Sequence, residues 1–175
     1  MKKLNIILVF LSIIHISGCS QNQNKVNDNK SSSESAISNT IFTIKNSDDV
    51  TKDFAALQSI PVLAESENTD FRYQIIDAMH NKDYKKAHLI LNQMKNFTQK
   101  YNQQLDHLDI KSSEVNNLRD LLKEFNQLAI KVTEHSIQEN MDKNQSSALE
   151  QKMEEIMFKI DAQTKLIEQN ISKKT

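Results

Sequence analysis

Five histidines, 23 acidic residues and a single cysteine are the side chains in this 175-residue chain whose types suit catalysis or metal binding. His15 falls in an apolar N-terminal run, which leaves His80, His88, His107 and His135. A helical zinc site asks for two histidines at i and i+4, so that both rings reach one ion. No two of these four have that spacing. The carboxylate helices of di-iron bundles carry Glu-x-x-His on two helices; here Asp77-Ala78-Met79-His80 has the spacing with the wrong acid and no second copy. Neither a metal nor a cofactor is expected. The histidines read as surface or boundary residues, His135 being the one nearest a helix seam, a turn beyond Val132 and beside Glu134.

Acid–base and nucleophilic chemistry fare no better. Glu154 and Glu155 are adjacent, and neighbours on a helix point about 100° apart, so they do not face one substrate. Cys19 is the sole cysteine, so no disulfide competes for it. A serine nucleophile needs an oriented base and an oxyanion hole, whereas the serines cluster in a polar N-terminal stretch and at helix starts. The expectation is a protein that is not an enzyme.

Glycine narrows the field further. The only one is Gly18, so beyond it no glycine loop can cradle a phosphate, and the dinucleotide, Walker A, kinase and G-x-S-x-G fingerprints are excluded by definition. The formal net charge is −1. A nucleic-acid partner would need a concentrated basic face, so none is expected. One proline and no tryptophan favour helices joined by polar turns.

Periodicity then supplies the elements. Ser47-Asp48-Asp49 offers caps for a short helix with Val50, Phe54 and Leu57 on one face, ended by Pro61. A polar loop spans 65–69. Asp70 caps a second short helix with Phe71, Ile75, Ala78 and Met79, which stops at Asn81, a residue tolerated in the left-handed conformation. Asp83 begins a long helix through Ala87, Ile90, Leu91, Met94, Phe97, Tyr101, Leu105 and Leu108. Ser112 and Ser113 cap the next, with Glu114 suited to the helix dipole and Val115, Leu118, Leu121, Leu122, Phe125, Leu128, Ala129 and Val132 at bundle spacing. After a turn at 140–145, Ser147-Ala148-Leu149-Glu150 reads as a capping box, opening a last helix through Met153, Ile156, Met157, Ile160, Thr164, Ile167 and Ile171. The fold class is all-α: an antiparallel bundle of three long helices with one or two shorter N-terminal helices.

Ahead of these helices, Lys2 and Lys3 precede an apolar run from Leu4 to Ile16 that is too short to span a bilayer, which takes ~20 residues. It ends in Ile16-Ser17-Gly18-Cys19, which resembles the lipobox of bacterial lipoproteins. That resemblance implies a signal peptide at 1–18, cleaved before Cys19, and a diacylglycerol on the Cys19 sulfur, which makes Cys19 the lipid-attachment residue. It implies membrane anchoring: at the outer membrane facing the periplasm if the cell is Gram-negative, since Ser20 rather than Asp follows the cysteine, or on the outer face of the plasma membrane if Gram-positive. Residues 19–46 read as lipidated cysteine and flexible tether, with a reach of roughly 25–30 Å, and 47–175 as the bundle. Ile41, Phe42 and Ile44 form an apolar knot in the tether, read as a clip onto the bundle rather than as a strand or a partner-binding segment.

What remains for function is surface. Met79, Met94, Met153 and Met157 suit either an adaptable groove or packing, with packing favoured. Lys95, Asn96, Gln99, Lys100, Asn102, Gln103 and Gln104 form a solvated face. The expected role is a membrane-anchored envelope lipoprotein acting as a helical protein-binding or accessory module, with an envelope protein as partner. The alternatives are a carrier or sensor of a small apolar ligand, or a purely structural envelope protein.

Overall fold

The computed structural model describes residues 42–60, 70–138 and 142–173. Cys19, the apolar leader, the tether up to Ile41, Pro61, the 65–69 loop and part of the 140–145 turn lie outside the described residues. Within them the protein is all-α, with five helices: α1 (Ser47–Ser59), α2 (Phe71–His80), α3 (Tyr84–Asp106), α4 (Ser113–Ser136) and α5 (Lys143–Ser172).

Local chemistry sets most of the helix ends. Asn46 caps α1, its side-chain oxygen accepting from the Asp48 and Asp49 amides, which places the cap one residue before Ser47. At the other end Ile60 turns to ψ 116°, the extended geometry forced on a residue that precedes proline. Asp70 and Asp83 cap α2 and α3 as expected, each accepting from an amide three residues on.

Three expectations are corrected. Asn81 is not left-handed (φ −82°); Lys82 is, at φ 56°. The Lys82 amide donates to Met79 O and that of Asp83 to Ala78 O, the paired bonds of a Schellman stop with lysine where glycine is usual. The Ser147–Glu150 capping box does not open α5, because Asp142 accepts from the Asn144 and Gln145 amides and starts the helix a turn earlier. Ser112 occupies the cap position of α4 but its side chain makes no capping bond, having been taken by another acceptor.

The apolar faces meet in two clusters. The larger joins Val50, Phe54 and Leu57 of α1, Met94, Tyr101 and Leu105 of α3, Leu118, Phe125 and Leu128 of α4, and Met153, Ile156, Ile160 and Ile167 of α5. A smaller one joins Ile75 and Ala78 of α2, Ala87, Ile90 and Leu91 of α3, and Ile137 after α4. Phe71 packs edge-on to Phe97, with ring centroids 5.8 Å apart. The main helix contacts are α4 with α5, α2 with α3, α3 with α4, and α1 with both α5 and α4. The short α1 is thus part of the main core, and α2 rides on the first half of α3.

Candidate functional site

The densest polar site lies where the N-terminal segment reaches the start of α4. Val50, Asp53, Phe54 and Leu57 are the buried positions of α1, so the stripe that faces the core carries one carboxylate. Asp53 Oδ2 accepts from the Lys111 amide at 2.9 Å, the Ser112 amide at 2.6 Å and Ser112 Oγ at 2.7 Å. Three donors satisfy a charged oxygen that burial would otherwise penalise by several kcal/mol. This oxygen is spent on holding the α3–α4 corner against α1.

Residues 42–46 are strapped over the same corner. Thr43 forms an isolated parallel bridge with Ser112: its amide donates to Lys111 O at 2.8 Å and its carbonyl accepts from Ser113 N at 2.9 Å. Thr43 Oγ1 donates to Asp49 Oδ2 at 2.9 Å, and the Lys45 amide to Glu114 Oε1 at 2.8 Å. The described part of the knot is therefore clipped to the helical domain, but by polar bonds: Phe42 is half-buried and Ile44 is 74% exposed. Glu114, placed from sequence for the helix dipole, also anchors the strap and accepts at its own carbonyl from Gln163 of α5 at 2.8 Å.

The histidines are not brought together. His80, His88 and His107 are exposed, as expected. His135 is buried, contrary to the surface or boundary reading: its Nε2 donates to Asp142 O at 2.8 Å, so it ties the end of α4 to the residue that caps α5. Among the described residues no group of three or more His, Cys, Asp or Glu is placed to hold a metal ion, and no helix is long and apolar enough to cross a membrane. Glu154 and Glu155 are both exposed on α5.

Of the methionines, Met94 and Met153 are core residues, while Met79 and Met157 are partly buried against the two clusters, which makes packing their role. The polar stretch of α3 divides. Asn96, Gln99, Lys100 and Gln103 are exposed, whereas Lys95 pairs with Glu134 at 2.5 Å and Asn102 accepts from the buried Asn126 at 2.7 Å. Gln103, Lys100 and His107 also line an open hollow of about 540 Å³ with Ser59 and Ile60. At the N-terminal end of α3, Lys86 bonds Asp77 of α2 at 3.0 Å, and that bond holds the half-buried Asp77 carboxyl below its ordinary value.

Sequence reasoning passed over Asp53. Its signal was present: a carboxylate at i+3 inside an apolar i, i+4, i+7 stripe must be buried together with its neighbours. The donors that meet it, almost sixty residues on, had no such signal.

The outward faces carry apolar side chains of their own. Tyr73 (71% exposed) and Ile76 (47%) stand one turn apart on α2, and Phe158 and Leu166 stand on α5. Compared with known proteins, residues 51–175 match a family model described as "Uncharacterised lipoprotein PM1805". No curated protein and no solved structure matches the chain.

Proposed function

The chain belongs to the uncharacterised lipoprotein PM1805 family, and from that membership we propose that it works as a lipid-anchored accessory module that docks a protein partner in the cell envelope and catalyses no reaction. As a lipoprotein it is associated with the envelope through lipid. Cys19 is the attachment residue in this reading, exposed by removal of 1–18, and residues beyond it carry the domain away from the headgroups. The three long helices run antiparallel, as their short connections require, and present α2 on an outer flank.

One observation carries the docking reading. Tyr73 and Ile76 project from the same face of α2 while its Ile75 and Ala78 fill the core. Aromatic and branched side chains left in water on a solvent face supply the anchors that protein interfaces favour.

The test is copurification of the full lipidated chain from detergent-solubilised membranes. One protein should accompany it in near-stoichiometric amount and be lost from Tyr73→Ser and Ile76→Ser variants that remain folded. Release of a bound lipid from the purified protein, with no protein companion, would favour an apolar-ligand carrier instead. Neither companion nor lipid would leave a structural envelope role.

A further inference from the structure

Charge is unevenly distributed along the chain. Residues 70–105, which cover α2, the turn after it and nearly all of α3, carry six of the 22 Lys and Arg but three of the 23 Asp and Glu. From Tyr84 to Leu105, α3 holds no carboxylate.

Each of the three aspartates is committed. Asp70 accepts from the Tyr73 amide and Asp83 from the Lys86 amide as helix caps, while Asp77 is bonded to Lys86. Lys95 is matched by Glu134 of α4. That leaves Arg72, Lys82 and Lys85, which make no ion pair among the described residues. Lys82 and Lys85 are exposed and Arg72 is half-buried.

These cations border apolar side chains that stand in water. Arg72 is one turn before Ile76 on the same flank of α2, and Lys85 is one turn before Leu89, which is 60% exposed. An apolar centre with a charged rim is how protein interfaces divide their labour, the centre supplying affinity and the rim steering the encounter. Here the rim is cationic and its own acids are spent, so the mate that suits it is anionic.

Position on the fold favours a protein over lipid as that mate. The N-terminal strap joins the bundle at the α3–α4 corner, where Thr43 bridges Ser112. The 23 residues of α3 put its first turn, where α2 turns back, roughly 30 Å from that corner. The hairpin is thus presented away from the point where the anchor's tether enters.

We infer that the α2–α3 hairpin takes an acidic protein surface, whose Asp and Glu side chains pair with Arg72, Lys82 and Lys85 around the Tyr73 and Ile76 centre. The inference rests on the docking reading above and adds the chemistry of the partner to it.

Carbodiimide coupling of the full lipidated chain in its own membranes tests it, because the reagent joins a lysine amine to a carboxyl without a spacer. Peptide mapping should find Lys82 or Lys85 joined to an Asp or Glu of one other protein. Benzophenone attached at His80→Cys, one turn beyond Ile76 and exposed, should trap the same protein. Arg72→Glu with Lys85→Glu should lower that photo-crosslink by about tenfold or more. Both changes set an acid in a first helical turn, which the dipole favours, so circular dichroism should stay unchanged. A protein trapped at undiminished yield by this double variant, or one that carries no lysine–carboxyl link, overturns the inference and leaves the docking reading standing. Adducts to lipid alone, or no protein adduct with either reagent, overturn both.

Discussion

Ser112 Oγ donates to Asp53 Oδ2 at 2.7 Å across 59 positions of sequence. Two backbone amides converge on the same oxygen, so one carboxylate holds the start of α4, the end of the α3–α4 corner and the buried face of α1 together. Replacing Asp53 by Ala strands three donors in a site with little water. The expected loss is about 2–4 kcal/mol in urea unfolding, whereas Ser112→Ala, which removes a single donor, should cost about 1 kcal/mol. Equal effects from the two changes would show that the oxygen is not the hub of this corner.

The turn between α2 and α3 stores a removable cost. Lys82 sits at φ 56°, where a Cβ is unfavourable by ~1–2 kcal/mol. Lys82→Gly should therefore stabilise the protein by about 1 kcal/mol, less the entropy that glycine adds to the unfolded chain. Lys82→Ala keeps the Cβ and should gain little. Thermal melts of the two variants separate this strain from any effect of the lysine charge.

Burial pushes the Tyr101 hydroxyl up from 10.0 to about 12. With the folded value raised, the neutral phenol's contribution to stability is complete below pH 10 and is lost as pH rises toward 12. Ultraviolet titration should show a late phase of tyrosine ionisation that belongs to Tyr101. In the Tyr101→Phe variant the lagging phase should vanish, and if it persists the assignment is wrong.

For the anchor, Cys19→Ala should eliminate fatty-acid labelling and release the domain from membranes, since two or three acyl chains hold far more firmly than one. Labelling that continues in this variant places the lipid elsewhere. A mature protein that retains residues 1–18 by mass spectrometry would count equally against cleavage at this cysteine.

Much of the fold could be read from spacing alone. The apolar repeat through Val115, Leu118, Leu122 and Phe125 fills the core as anticipated, and Asp70, Asp83 and Ile60 mark helix ends for reasons confined to a few neighbouring residues. The errors share a cause. Ser112, Ser147 and Asn81 each had the right chemistry for a cap or stop, but a competitor with better geometry took the place: Asp53 across the fold, Asp142 one turn earlier, Lys82 next along the chain. Lysine has low preference for the left-handed region, so nothing in its type announced it.

The candidate surfaces divide along the same line. Sequence alone determined that this is a helical chain without phosphate loops, carrying a lipobox-like motif ahead of its bundle, because those are matters of residue type, count and local period. Tertiary structure decided which polar side chains are sealed inside and which apolar ones are left out. Asp53 and His135 are interior because the helices beside them bring donors and an acceptor to meet them. Phe158 and Leu166 are exterior because α5 has spent its opposite face on α4 and α1. A helix has one period but several faces, and only its neighbours determine which face is buried.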